Sequence, residues 1–513
     1  GDGNTGLGHG SLAVATTANY NTAVGWHSMV SSTTGTLNTA VGYQALDANT
    51  TGNYNTAFGP NSLGANTTAA NNSAFGYGAL ETNSTGTNNT AVGYGALQLN
   101  TTADNQTACG RLALQKNTTG VANTAVGALA LQDNTTGASC VAVGVNALSS
   151  NTTADGNTAV GNQALYVNTT GSNNTALGKD ALSLTTTGQQ NTAIGSHSLN
   201  TNTTGGYNTG IGYRSLYANT TGERNSGLGY YALDQNTTGQ YNTAVGFNCL
   251  RLNTTADHNT AIGNEALAAN TTGARNTATG FEALNANTTS TNNAAYGYKA
   301  LTDNTTGVNN TGMGTSTLSI ATTGENNTCL GYAAGYNVTT GDNNLLLGVQ
   351  AGRSTSPSGT INTHDGVICL GDDNITNLFC ADTSISASDS RDKTDITDFT
   401  KGLDWIKALR PVTYKWDKRS WYGTDAEPYG TPDGSKKKSK INIGFLAQEA
   451  LEVEKTNGYA TDSNDMLICN LTEDGMRYGM KYERLVPILV NAIKELSTDL
   501  NSLKAEVTAL KAA

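Results

Sequence analysis

A glycine returns every seventeen residues. Within an N-T-A-V-G pattern it stands at positions 8, 25, 42, 59, 76 and 93 and continues at the same spacing to Gly331 and Gly348, twenty-one copies without an insertion. A fixed period sustained over 340 residues gives each copy an equivalent place in a regular stack and excludes an ordinary globular topology for most of the chain.

The columns of the repeat say what that place is. Four residues after the glycine come Leu12, Met29, Leu46, Leu63 and Leu80, and then Leu in every copy to Leu318. One residue before it come Leu7, Val24, Val41, Phe58, Phe75 and Val92, followed mostly by Val, Ile or Leu. Both apolar columns are expected to point inward. The residue after the glycine varies too widely for a core, so it is expected to face solvent. Its aromatic members Trp26, Tyr43, Tyr77, Tyr94, Tyr213, Tyr230 and Phe281 are the shaft's candidate receptor-contact residues, beside the plainer reading that they are sheet formers on an outer face.

Helix does not suit these copies. Each carries two glycines, an Asn-rich β-branched stretch and an "NTTG" turn signal, so the pattern predicts short strands joined by Asn/Gly turns. Stacked in register, identical Asn and Thr side chains can form hydrogen-bonded ladders. One coil per repeat at a strand spacing of roughly 4.8 Å gives a shaft of about 100 Å. The fold class is thus mainly β: a parallel β-solenoid or β-roll shaft over residues 1–348, a transition region over 349–387 containing a strand-like "VICLGDD", and a small α+β module over 388–513.

Charge follows the same division. Up to Ala387 there are nine Lys or Arg against nineteen Asp or Glu; from Ser388 onward there are nineteen against twenty. A thinly charged, acidic shaft argues against nucleic acid as a partner. The seven cysteines are scattered without a CxxC pair, and the five histidines are dispersed, so no metal and no cofactor is assigned. Cys249 and Cys329 stand where the repeat has Ala, and Cys109 where it has Val; these are expected to be small buried hydrophobes. No apolar run approaches membrane-spanning length, so no membrane insertion is expected. The chain starts at Gly1 inside a shortened first repeat, so an upstream anchoring segment is expected to have been removed or to lie outside it.

From Ser388 the composition becomes globular. "DFTKGLDWIKAL" has helical spacing, with Leu403, Ile406 and Leu409 on one side, while "RPVTYKW" and "INIGFLAQ" are expected as strands. Between them lies a long loop whose Lys436, Lys437, Lys438 and Lys440 are expected to be solvated. At the end, Leu489, Ile493, Leu496, Leu500, Leu503, Val507 and Leu510, preceded by Val486, alternate steps of three and four residues. This heptad seam predicts a coiled coil over about 486–511, and three strands suit the context. A chain with a thin core of its own gains most from oligomerisation, and a homotrimer is expected.

Two resemblances bear on function. The "NTAVG" repeat resembles the β-roll of YadA-like trimeric adhesin heads and Gly/Asn-rich phage tail-fibre repeats, although the adhesin repeat is shorter. "SDSRDKTDI", "GLDWIKALRPVTYKW", "GFLAQE" and "KYERLVPILVNAIKEL", in that order over residues 388–513, resemble the C-terminal intramolecular chaperone of phage endosialidases and tail fibres. That resemblance implies a domain that drives trimerisation of the upstream fibre and then cuts itself off. It implies a Ser/Lys dyad at Ser388 and Lys393, with cleavage between Ala387 and Ser388. A serine hydroxyl needs a base, and a lysine serves only when its charge is disfavoured. Arg391 would help; Asp389, Asp392 and Asp395 would oppose, so burial in the assembled trimer has to dominate.

The expected function is a structural host-attachment fibre of a virion. Its self-cleaving serine peptidase would have no external substrate. Its partners would be two further copies, a host glycan or protein receptor, and tail or baseplate proteins reached through the upstream segment. The alternative is a bacterial surface adhesin or extracellular fibre using the same chaperone. Two further readings carry less: "NTT" is also an N-glycosylation acceptor, and a Thr/Asn array could bind ice, but an ice binder needs no elaborate C-terminal module.

Overall fold

A computed structural model describes residues 1–375, 393–423, 429–462, 465–471 and 478–512. Two compact units divide the chain, Gly1–Asn327 and Thr328–Ala513. In the first, each repeat contributes one three-residue strand, from β1 (Thr5–Leu7) to β19 (Thr311–Met313); the second unit opens with β20 (Thr328–Leu330), β21 (Leu345–Leu347) and β22 (Ile368–Leu370). The architecture is a parallel β-solenoid. Identical columns face each other in register, as in Thr22↔Thr39, Ala23↔Ala40 and Val24↔Val41. Between β21 and β22 the period lengthens to 23 residues, Leu345 pairing with Ile368. The strand-like "VICLGDD" therefore forms a further coil.

Each coil is held mainly by buried amides. In the third, the inward residues are Asn38, Ala40, Ala45, Leu46 and Asn49. The N–H of Asn38 donates to Asn21 Oδ1 (2.9 Å), while Asn38 Nδ2 donates to Gly52 O (2.8 Å). The N–H of Asn55 repeats the bond one coil on, at 2.8 Å to Asn38 Oδ1. A second column bonds side chain to side chain: Asn66 Nδ2 donates to Asn49 Oδ1 (3.0 Å) and to Ala69 O (3.1 Å). Fully satisfied amides stabilise modestly, but an orphaned one costs about 1–3 kcal/mol, so these columns hold every coil in register.

The conserved spacing of the glycine has a steric cause. Gly93 sits at φ +134°, and a Cβ there would meet Gly110 O at 2.5 Å and Gly110 C at 2.7 Å. No side chain fits between coils at that point. The Leu column also lies at positive φ, 55° at Leu46. Left-handed backbone costs a non-glycine residue about 1–2 kcal/mol, which full burial of the side chain, about 1.5–3 kcal/mol, offsets.

The inward Leu column is as the sequence implies; the second apolar column is not. Leu7, Phe58, Phe75 and Val92 are 67, 55, 41 and 39% exposed, and the strand residue pointing inward is the preceding Ala, such as Ala23, Ala40 and Ala57. A strand alternates faces with period two. Once the Asn at the strand's start turns in, the Ala two places later follows and the Val turns out. The same phase places Cys109 at the surface, correcting its expected burial, whereas Cys249 and Cys329 are buried as expected.

In the second unit the C-terminal module is built from α1 (Leu403–Ala408), β23 (Val412–Tyr414), β24 (Asn442–Gly444), α2 (Ala447–Thr456), β25 (Cys469–Leu471), β26 (Tyr478–Met480) and α3 (Leu485–Ala512). Both strand pairs are antiparallel. Trp405, Leu409, Ala450, Ile468, Cys469 and Ile488 make the core. Two carboxylates tie it together. Buried Glu454 accepts from the backbone N–H groups of Leu467 (3.2 Å), Ile468 and Cys469 (2.9 Å). Glu495 on α3 accepts from Leu403 N (2.7 Å), closing the start of α1.

Two stability effects follow. Thr185 interrupts the second amide column, leaving both Asn168 Oδ1 and its own Oγ1 without a partner. Thr185→Asn should restore the column and raise stability by about 1–2 kcal/mol, read as a higher guanidinium midpoint of the full chain; an unchanged or lower midpoint would contradict the ladder's role. Glu454→Gln should destabilise the C-terminal module by about 2–4 kcal/mol through loss of charge-assisted bonds, measured by urea denaturation followed through tryptophan fluorescence.

Candidate functional site

The expected cleavage point, Ala387 and Ser388, lies outside the described residues, as do Asp389, Arg391 and Asp392. Lys393 is the first described residue beyond it and is exposed in the single chain, ten residues ahead of the start of α1. In the sequence, Ala387 and Ser388 fall in the stretch between the end of β22 and the start of the described module.

On the near side of that stretch the module grips the coil. Asp373, three residues past β22 and 4% exposed, receives Ser420 Oγ on its carboxylate, and Lys418 Nζ lies 3.8 Å from Oδ1 and donates to its main-chain O at 3.3 Å. The Lys418 ammonium also sits over the rings of Trp416 (5.2 Å) and Trp421 (5.8 Å), and Lys438 over Trp421 (5.0 Å). An open cleft of about 490 Å³ remains between Asp372, Asp373 and Asn374 on one side and Trp421, Lys436 and Lys438 on the other. Lys436, Lys437, Lys438 and Lys440 are exposed as expected, whereas Lys418 and Ser420 at the start of the loop bond to Asp373. Removing one partner from a pair this buried leaves an uncompensated charge.

Two apolar stripes are left uncovered among the described residues. On α3, Leu485, Ile488 and Ala492 are buried against the module, whereas Leu489, Ile493, Leu496, Leu500, Leu503, Val507 and Leu510 are 42–77% exposed. The helix therefore uses one face at home and leaves its heptad seam open. In the first unit, the outward column of β1–β19 is the second stripe, among them Leu7, Phe58, Val92, Val126, Leu177, Ile211, Leu228 and Ile262. Thr flanks it two residues earlier in most strands.

The aromatics after the glycine are all exposed: Trp26, Tyr43, Tyr77, Tyr94, Tyr213, Tyr230 and Phe281. Their rings stack along the coils, Trp26 on Tyr43 at 4.8 Å, Tyr77 on Tyr94 at 5.5 Å, Tyr213 on Tyr230 at 5.4 Å and Phe281 on Tyr298 at 5.3 Å. Neighbours in these stacks cover each other's faces, so edges and hydroxyls are what the shaft presents. The Asn-Thr-Thr segments are closed to glycan transfer in the folded coils. Asn66, Asn100 and Asn117 are fully buried with Nδ2 bonded to the adjoining coil and turn.

Burial pushes the Cys140 thiol up to about 11 and those of Cys249 and Cys469 up to about 12, which makes them inert rather than nucleophilic. Among the described residues no group of three or more His, Cys, Asp or Glu is arranged to hold a metal, and no helix is long and apolar enough to cross a membrane.

Residues 388–459 match the family described as chaperone of endosialidase. Comparison with curated proteins and with solved structures finds no match. The matched stretch begins at Ser388 and takes in α1, β23, β24 and α2. A β-solenoid shaft followed by such a domain fits a tail fibre or an adhesin. The chain is a repetitive β-solenoid that carries, at its C-terminal end, a domain of the chaperone-of-endosialidase family.

Proposed function

We propose that this chain forms the shaft of a homotrimeric attachment fibre of the virus-tail kind, whose C-terminal domain brings three chains into register and then releases itself. The observation that carries this reading is the family match opening at Ser388, eighteen residues beyond the end of β22. The two uncovered stripes support the trimer. Each is continuous, each repeats at a constant spacing, and each is complementary to a parallel copy of itself: the heptad seam to two like helices, the outward Val/Ile/Leu column to the same column of a neighbouring solenoid. We assign the outward column as the face where the three solenoids meet.

Register is the problem such a fibre has to solve. Three chains of near-identical coils can pair with a slip of one repeat, and non-local β assembly is slow. A coiled coil at one end selects one alignment, and the Lys418/Ser420 grip on Asp373 transmits it to the last coil. Removal of the domain then leaves a kinetically trapped shaft.

The cut balances as follows. Ser388 Oγ attacks the Ala387 carbonyl carbon while Lys393 Nζ takes the hydroxyl proton. The Ala387–Ser388 C–N bond breaks as that proton passes to the leaving Ser388 amine, which leaves the Ala387 acyl group esterified on Oγ. Water then hydrolyses the ester to an Ala387 carboxylate and a free Ser388 N-terminus. Lys393 is exposed in the single chain. Its burial on assembly would supply the neutral base, so cutting would wait for the trimer.

Intact mass of the expressed chain beside its Ser388→Ala variant tests the proposal. Fragments ending at Ala387 and beginning at Ser388 are expected in the parent alone, and Lys393→Met should behave like Ser388→Ala while remaining trimeric. A parent that stays whole as a stable trimer would remove the peptidase from the account; cutting of monomeric chain would remove the requirement for assembly.

A further inference from the structure

The residue just before the inward Asn of each coil is exposed and left-handed, with φ near 57–63° at Asn71, Asn88, Asn173, Gln190, Asn292, Asn309 and Asn326. Asn is among the side chains that tolerate this backbone best, and there it also forms an outer ladder, Asn292 Nδ2 donating to Asn309 Oδ1 (3.2 Å) and Asn309 Nδ2 to Asn326 Oδ1 (3.0 Å). The first coils depart from it with Tyr20, Leu37 and Tyr54, and five consecutive coils farther along depart together. They place Tyr207, Arg224, Tyr241, His258 and Arg275 in the same left-handed position, at φ 56–61°. Bulky side chains there forgo both the conformational fit and the outer amide ladder, and no gain in the core compensates, because all five are exposed.

Four of the five are linked along the column, Tyr207, Arg224, Tyr241 and His258, and Arg275 takes the next place in register. The Arg224 guanidinium lies between Tyr207 (5.3 Å) and Tyr241 (5.4 Å), its Nη1 donates to the Tyr241 hydroxyl (2.9 Å), and the Tyr241 ring stacks on His258 at 5.0 Å. Glu223 faces Arg224 at 3.4 Å from Nη1, and only that nitrogen is engaged within the described chain. The basic residues of the shaft are concentrated here as well: of the nine before Ala387, four stand between positions 214 and 275. One of those, Arg214, is committed elsewhere, to the buried Asp234 carboxylate at 3.1 Å; Arg224 and Arg275 are the two on the ladder.

We infer that this Tyr-Arg-Tyr-His-Arg ladder is a binding surface for a carboxylate-bearing glycan lying along the shaft. Held flat between rings, a guanidinium presents its remaining N–H groups as a fork matched to a carboxylate. The tyrosine hydroxyls and the Glu223 and Asp257 carboxylates beside the ladder supply partners for sugar hydroxyls. Five coils span about 19 Å, enough for several sugar units in one line. The inference rests on the attachment reading above and specifies its receptor class.

The test is a glycan array carrying carboxylated, sulfated and neutral glycans, probed with the full-chain fibre and with Arg224→Gln/Arg275→Gln. Carboxylated glycans should be retained by the parent, and the double variant should bind them about tenfold more weakly or worse, as loss of charge-assisted bonds implies, with native mass and melting temperature unchanged. Tyr241→Phe should weaken binding less. Retention of sulfated or neutral glycans only, retention of none, or full binding by the double variant overturns the assignment. So does a double variant that loses its native mass, because the ladder would then be a contact between subunits. A parent that is monomeric yet still retains carboxylated glycans would refute the trimeric fibre and leave the ladder standing.

Discussion

Buried carboxamides stacked along the axis are the constraint on which the rest of this molecule depends. Each coil has a small apolar core of one Leu and two small residues, too little to fix seventeen residues by burial alone. The two Asn columns fix them by requiring partners: inward amides bond to the neighbouring coil in register, as Asn38 does with Asn21, and to carbonyls of the turn, as Asn66 does with Ala69. The interior is therefore specified by hydrogen bonding more than by shape. The surface is correspondingly free to vary, and every functional feature of the shaft lies on it.

That division explains why the solenoid leaves an apolar column outside. Small Ala and fully bonded Asn take the inward strand positions, so the period-two alternation leaves Val, Ile, Leu or Phe at the surface, coil after coil. Sheet propensity accounts for a β-branched residue here and there; it does not account for an outward stripe that also recurs, unpaired, on α3. Both stripes suit like partners in parallel, as the proposed trimer requires. The same stacking that aligns the columns gives the outer aromatics their geometry, ring on ring, and lets five coils exchange an Asn ladder for a Tyr/Arg one.

Much of this was legible in the sequence, and the failures have physical reasons. The glycine period gave the coil because Gly93 and its equivalents admit no Cβ, and the Leu column gave the interior. The Val column faces outward although its apolar character suggests burial, because a three-residue strand is too short to show its alternation in the sequence. The aromatic and basic ladder from Tyr207 to Arg275 has a signal in the sequence too: five successive exceptions in a column rich in Asn. The grip of Lys418 and Ser420 on Asp373, and the capping of Leu403 by Glu495, join residues 45 to 92 positions apart, and no local pattern announces them. The Ser388/Lys393 pair rests on resemblance; a serine and a lysine five residues apart carry little by themselves.

Cys109 offers the most direct test of the central claim, that three solenoids meet on the outward apolar column. It stands in that column, its thiol at the surface of the single chain. The measurement is the rate at which a bulky maleimide labels Cys109 in the native protein, located by peptide mass spectrometry and compared with the denatured chain. The account requires strong protection in the native state, relieved on denaturation. Labelling of native Cys109 at the rate of a free surface thiol would place the column in solvent and contradict the trimer built on it.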